Sequence, residues 1–201
     1  DTLKNLNVKL SRVSSEYRES IEGLITETEC AKALKSMKNN KTPGIDGIPA
    51  DFYKFFWVDI KDIVLNSINN AFVTGVMSND QRTGIITLIP KKDKIRHFLK
   101  NWRPITLLTV DYKLIAKALA IRLDTVLPKI ISNSQYAYVK GRYIGENIRC
   151  VADISDLCSQ KNIEALAIQI DFEKAFDSVN WAFMYRSLES MGFSEDFIKW
   201  V

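Results

Sequence analysis

The run from Glu164 to Phe172 constrains the fold more than any other segment. Leu166, Ile168, Ile170 and Phe172 are bulky and apolar, and they alternate with Ala165, Ala167, Gln169 and Asp171. A period of two with one apolar side predicts a β-strand packed on a core through that side. The other side is small, then polar, and ends in a carboxylate at the strand's C-terminal edge. Two roles suit Asp171 there. It can cap the following turn. It can also ligate a hard divalent cation, as in phosphoryl transfer, where two ions about 4 Å apart stabilise attacking and leaving oxygens. Position alone favours the cap.

Helical signals surround this strand. Thr26 and Glu29 form a capping-box pattern ahead of Ala31, Leu34 and Met37, which predicts a helix ending near Asn39-Asn40. A Pro- and Gly-rich loop follows, Lys41-Thr42-Pro43-Gly44-Ile45-Asp46-Gly47-Ile48-Pro49. Asp51 to Phe72 reads as helical, and its cluster of Phe52, Tyr53, Phe55, Phe56 and Trp57 is expected in the core. Two short strands, Gly84–Pro90 and Trp102–Leu108, flank a polar turn from Lys91 to Lys100 and predict a hairpin. Asp111 heads a long helix with Ile115, Leu119, Leu123 and Leu127 at four-residue spacing. After a loop from Ser132 to Gly145 a further helix is expected over 146–160. Another opens at Asn180 and stops at Met191-Gly192, and a last one starts at Ser194.

Two hundred and one residues make one ordinary domain or part of a larger one. No apolar run approaches the roughly 18 residues of a membrane-spanning helix, so no membrane partner is expected. Cys30, Cys150 and Cys158 lack metal-ligand spacing and there is one histidine, which argues against zinc or a Cys–His nucleophile. Cys150 and Cys158 are expected as small buried residues of a helix in an intracellular, unbridged protein. Residues 1–25 read as a lead-in from an upstream segment, and both chain ends read as cuts in a longer protein. The net charge of +4 hides an asymmetry. Arg82 to Arg142 holds 13 Lys/Arg against Asp93, Asp111 and Asp124, a net +10, which leaves −6 for the remainder. A positive block on an otherwise acidic chain suits a polyanion, nucleic acid first of all, although lysine-rich faces are often merely solvated.

The segment Ala167-Ile168-Gln169-Ile170-Asp171-Phe172-Glu173-Lys174-Ala175-Phe176-Asp177-Ser178-Val179 closely resembles polymerase motif A of reverse transcriptases, in the form used by non-LTR, LINE-like retroelements. Three other stretches resemble that family's motifs in the same order. Asn39 through Tyr53 is similar to the "zero" motif, which lies along the template. Ile86-Thr87-Leu88-Ile89-Pro90-Lys91-Lys92 with Asn101-Trp102-Arg103-Pro104-Ile105 resembles motifs 1 and 2, the fingers hairpin. Ser134-Gln135-Tyr136-Ala137-Tyr138 through Gly141-Arg142 to Asn147-Ile148 resembles segment 2a. Four ordered stretches are far more specific than a lone Pro-Gly-x-Asp-Gly.

The resemblance implies an α/β (α+β) fold, the fingers and partial palm of a right-hand polymerase. It implies 26–80 as an N-terminal extension with a template-contacting loop, 81–163 as fingers and 164–201 as the start of the palm. It implies RNA-directed DNA synthesis with an RNA template, a DNA primer, dNTP and two Mg2+ ions, in the nucleus. Asp171 would bind both ions and the Phe172 carbonyl one of them. Phe176 would lie beneath the incoming sugar and exclude a 2′-hydroxyl. Lys91 and Arg103 would face the triphosphate, and Lys41, Gly44, Asp46, Gly47, Lys140, Gly141 and Arg142 would contact nucleic acid. Arg103 suits bidentate phosphate contact, with a surface salt bridge as the other role for it. Which of the adjacent Lys91 and Lys92 points inward stays open, and the sequence sets no oligomeric state. The family's motifs B and C, the latter with Tyr-x-Asp-Asp, are not in this chain, which contains no Asp-Asp pair. The chain as given is therefore not expected to polymerise. The alternatives are a non-catalytic nucleic-acid-binding relic or domesticated fragment and, against the joint presence of Asp171, Phe176 and Arg103, a host protein using the fold as a scaffold.

Overall fold

The computed structural model describes residues 10–201, so residues 1–9 of the expected lead-in lie outside the described residues. In chain order the elements are α1 (Ser15–Ile21), α2 (Glu27–Ser36), α3 (Ala50–Phe55), α4 (Trp57–Thr74), α5 (Asn79–Arg82), β1 (Ile85–Pro90), β2 (Trp102–Leu107), α6 (Val110–Ile130), α7 (Gly145–Lys161), α8 (Trp181–Ser190) and α9 (Glu195–Trp200). Among the described residues the mixture is mostly helical with one two-stranded antiparallel sheet, consistent with the α/β (α+β) class expected. Two compact units are present. One is Gly23–Arg122 with Trp200. The other joins the described residues up to Glu22 to Leu123–Lys199 and Val201.

In the first unit both arms of the capping box form. The Thr26 N–H donates to Glu29 Oε2 at 2.9 Å, and the Glu29 N–H donates to Thr26 Oγ1 at 3.3 Å. The helix it starts buries Cys30, Ala33 and Leu34, one face at i, i+3 and i+4 spacing. On α6 the buried face is Leu114, Ile115, Ala118, Leu119 and Arg122. Arg122 Nε meets Glu29 Oε1 at 2.5 Å and Nη2 meets Oε2 at 2.9 Å, while Nη1 and Nη2 reach the Gly23 and Leu24 carbonyls at 3.0 and 2.8 Å. Asn69 closes the same corner, accepting from the Ile25 N–H and donating to the Ile25 carbonyl at 3.0 and 2.9 Å. The buried Gln81 ties α5 to α6 by donating Nε2 to Asp111 Oδ2 at 2.7 Å. The sheet is the expected hairpin, in the register Ile85↔Leu107 to Pro90↔Trp102.

In the second unit Val126, Ile130, Val139, Phe193 and Phe197 are buried with Val13 and Ile21. The α8–α9 turn is stitched to the N-terminal segment, with the Val13 N–H on the Met191 carbonyl at 2.8 Å and Arg18 Nε on the Gly192 carbonyl at 2.9 Å. Asn180 caps α8 through Oδ1, and Gly192 leaves it at φ +84°, as expected from the sequence.

Four expectations are corrected. No strand forms over 164–172. Among the described residues nothing pairs with this segment, and Leu166 and Ile170 are 84% and 76% exposed. An alternating pattern states how a strand would pack, but the ladder needs a neighbour with unpaired backbone groups. Cys150 is exposed and Cys158 half-buried because the apolar face of α7 carrying Ile148, Val151, Ile154 and Leu157 is itself uncovered. Of the aromatic cluster only Tyr53 is buried, while Phe52, Phe55 and Phe56 are exposed, because the expected single helix breaks at Phe56. The α2 helix stops at Ser36 rather than near Asn39, since Met37 turns extended and its N–H closes on the Leu34 carbonyl.

Burial raises the Glu29 carboxyl, but the Arg122 guanidinium and the Thr26 hydrogen bonds outweigh it and hold the group below 4.5. A depressed folded pKa contributes stability that is present above the unfolded value and lost as pH falls through the folded one. Chemical denaturation should show Arg122→Met costing about 3 kcal/mol at neutral pH, because the half-buried carboxylate and two carbonyls lose their donor. Glu29→Gln should flatten the loss of stability below about pH 4.5 relative to the unsubstituted chain.

Candidate functional site

The loop that follows α2 is fixed from both sides. Lys54 Nζ donates to the Met37 carbonyl at 2.6 Å and to Asn39 Oδ1 at 2.5 Å, and the Asn40 N–H donates to Asp51 Oδ2 at 2.9 Å. Gly44 lies against the backbone that leads into α6, where an added Cβ would stand 2.6 Å from the Leu108 carbonyl carbon. The Gly47 N–H returns to the Gly44 carbonyl at 3.2 Å with φ +70°, and Asp46 Oδ1 accepts from the Ile48 N–H at 3.2 Å. Such a doubly turned loop admits only glycine at its close approach and favours it at its left-handed corner. It leaves Lys41, Ile45 and Gly47 exposed. Beneath it the buried Tyr53 phenol is pushed up to about 12 by burial, then by the charges of Asp111 and Asp46.

On the hairpin, Arg103 faces Ile89 across the ladder and is exposed, with no ion-pair partner among the described residues. Lys91 is drawn back into the turn, its Nζ donating to the Lys100 carbonyl at 2.8 Å, whereas Lys92 is exposed. In this arrangement Lys91 closes the turn and Lys92 presents its charge outward.

Within the second unit Arg142 serves its own chain. Its guanidinium donates to the Ile131 carbonyl at 2.8 Å, the Gln135 carbonyl at 2.5 Å and, very closely, the Ser132 carbonyl. The Ile131 carbonyl lies at the end of α6, where a cation is favoured, and the other two belong to the loop that follows. The same loop presents Lys140 and Gly141 to solvent, with Gly141 at φ +82°. Asp171, Phe172 and Phe176 lie on the extended stretch and its following turns, all exposed. The Phe176 ring meets Tyr138 edge to face at 6.3 Å, which brings the segment resembling motif A against the one resembling 2a. Among the described residues no three His, Cys, Asp or Glu side chains come together, so Asp171 and Phe172 do not by themselves form a two-ion site. Sequence reasoning missed Lys54, whose loop-holding role has no signature beyond a lysine in a helix, and the Tyr138–Phe176 contact, which spans distant segments.

The segments singled out by the sequence are thus a strand hairpin with the exposed Arg103, a glycine-pinned loop and an extended, unpaired stretch that ends at Asp171. Residues 89–201 match the family model described as reverse transcriptase (RNA-dependent DNA polymerase). The chain belongs to the reverse transcriptase family, and it groups with proteins of non-LTR, LINE-type elements. It is 34% identical over 98% of its length to the transposon TX1 uncharacterized 149 kDa protein of Xenopus laevis, covering 15% of that protein. It is 25% identical over 86% of its length to the retrovirus-related Pol polyprotein of type-1 retrotransposable element R1 from Bradysia coprophila, covering 17%. Against the corresponding R2 polyprotein of Popillia japonica it is 29% identical over 85% of its length, covering 23%. The chain thus spans less than a quarter of each of these relatives. No helix among the described residues is long and apolar enough to cross a membrane.

Gly44→Ala should force the loop off the Leu108–Thr109 backbone and cost about 1–3 kcal/mol by denaturation. Gly47→Ala meets no atom within 4 Å and should cost less, through its left-handed φ alone.

Proposed function

We propose that this chain is the nucleic-acid-guiding part of an RNA-directed DNA polymerase encoded by a non-LTR retrotransposon. The observation that carries the reading is the family match over 89–201, which takes in Arg103, Asp171 and Phe176 in one ordered span. The partners are an RNA template, a DNA primer and dNTP. The loop with Lys41, Gly44, Asp46 and Gly47 follows the template strand. Arg103, with the Lys91–Lys92 pair, offers cations to the triphosphate. Lys140 and Gly141 approach backbone phosphates, and Arg142 positions the loop that presents them. Phe176 discriminates against a 2′-hydroxyl. The domain reading is an extension over 26–80, fingers over 81–163 and the start of the palm from 164. The setting is nuclear.

Reverse transcriptases act with divalent metal, and Mg2+ is proposed here, held through Asp171 and the Phe172 carbonyl once further carboxylates join them. Those carboxylates belong to a part of the whole protein outside these residues, in keeping with the small share of each relative that the chain spans. No chemical step follows from Asp171 alone, so the 201 residues by themselves bind nucleic acid without extending a primer. The uncovered Asp171 segment also suits a second reading, a relic that binds nucleic acid and makes no DNA. Reading the transcript in frame past Val201 separates the two. A Tyr-x-Asp-Asp motif supports the polymerase, and a stop codon or unrelated sequence supports the relic.

In the whole protein Asp171→Asn should abolish primer extension and leave template binding nearly unchanged, as measured on one preparation. Retained extension would show that the metal site lies elsewhere. Binding of the chain to RNA should weaken steeply as salt rises, because the 82–142 block acts by releasing counterions from phosphates. Absence of binding at low salt would contradict it.

A further inference from the structure

The loop between α6 and α7 is held from within. The Arg142 guanidinium grips the Ile131, Ser132 and Gln135 carbonyls, and Gln135 Nε2 donates to the Ala137 carbonyl at 3.1 Å. The Arg142 N–H returns to the Val139 carbonyl at 3.2 Å, and Val139 is buried. Between Ala137 and Val139 the Tyr138 backbone stands at φ +61°. A bulky residue takes up that left-handed conformation at a cost, and it persists only where the surroundings over-determine it. The Tyr138 side chain is nevertheless 87% exposed. Burial of the ring is therefore not what offsets the strain.

What the ring touches is Phe176. The centroids are 6.3 Å apart and the planes 86° from parallel, an edge-to-face pair in which the positive edge of one ring meets the negative face of the other. Phe176 sits in a turn with its own ties, since the Ser178 N–H and Oγ both donate to the Lys174 carbonyl, at 3.0 and 2.8 Å. Its ring is 81% exposed, so no packed core fixes it. Among the described residues Tyr138 is the aromatic neighbour it has.

We propose that Tyr138 is a positioning residue for Phe176, and that the contact sharpens discrimination between deoxyribonucleotides and ribonucleotides. The proposal rests on the reading of Phe176 as the group beneath the incoming sugar and adds a second residue to it, from a distant segment. An aromatic that rejects a 2′-hydroxyl by its bulk does so only while it cannot swing aside, and a phenylalanine side chain turns about two torsions. A ring fixed on a rigid loop removes part of that freedom. The contact uses the edge and face of the rings and not the phenol hydroxyl, so phenylalanine at 138 serves as well. Arg142 acts at one remove, by holding the loop that presents Tyr138.

Two measurements test this. Tyr138 is exposed, so its variants should fold, and amide exchange at Ser178 in the 201-residue chain reports how firmly the Phe176 turn is held. Tyr138→Ala should speed that exchange several-fold and Tyr138→Phe should not, with α6 amides unaltered in both. Unchanged exchange in the alanine variant would overturn the proposal. In the whole protein the quantity is the ratio of kcat/KM for dNTP to that for rNTP in primer extension. Tyr138→Ala should lower it about fivefold, on the scale of one edge-to-face pair, with template affinity unchanged, and Tyr138→Phe should restore it. In a Phe176→Val background Tyr138→Ala should change nothing further, because a brace has no effect once what it braces is gone. Additive losses, or a ratio that falls in Phe176→Val and not in Tyr138→Ala, overturn the proposal and leave the reading of Phe176 standing. A ratio unmoved by Phe176→Val, or no extension at all, overturns that reading and the proposal with it.

Discussion

A buried guanidinium has to find acceptors for its donors, and Arg122 finds them in the segment that opens its unit. Glu29, the Gly23 carbonyl and the Leu24 carbonyl converge on it from a turn almost a hundred residues away in sequence. The pairing does two jobs at once. It balances a charge on the apolar face of α6, and it fixes where α2 begins, because Glu29, the third residue of that helix, also closes its capping box. The start of α2 then determines where the chain leaves at Met37, and so where Lys54 can pin the loop that carries Gly44. Phe72 and Trp200 stack at 4.4 Å, and Trp200 Nε1 donates to the same Gly23 carbonyl, which reinforces the corner.

Much of this is legible in the sequence. The capping box at Thr26 and Glu29, the hairpin, the α8 cap at Asn180 and the Gly192 stop are local devices, each decided by a few neighbouring residues. Distant contacts were not legible. Arg122 reads in sequence as one more cation in a basic block, yet it is buried. Arg142 reads as a phosphate ligand, while its donors go to carbonyls at the end of α6 and in the loop after it. A charged side chain declares what it can bind and not which partner it reaches first. The family resemblance was legible for a different reason, since motif order survives where individual contacts cannot be inferred.

The segment 164–172 shows the opposite failure. Its pattern is the clearest in the chain, and no ladder forms there, because alternation specifies a face and leaves the neighbour unspecified. The paired hairpin makes the contrast, with β1 and β2 satisfying each other's backbone groups within a single connection. The exposed apolar faces of α7 and of the 164–172 stretch are what a sheet layer would cover in a larger assembly. Asp171 sits at the end of that stretch, so where its carboxylate stands depends on the same missing ladder.

The strand that would end at Asp171 is therefore written in the sequence but not assembled by these residues. Amide hydrogen exchange over Ala165–Phe172 in the 201-residue chain tests it most directly. Exchange near the rate of an unstructured peptide, alongside protected amides in α6, is the expected result. Protection of Leu166, Ile168 and Ile170 comparable to that of α6 would mean that the strand is already paired, and would contradict the account.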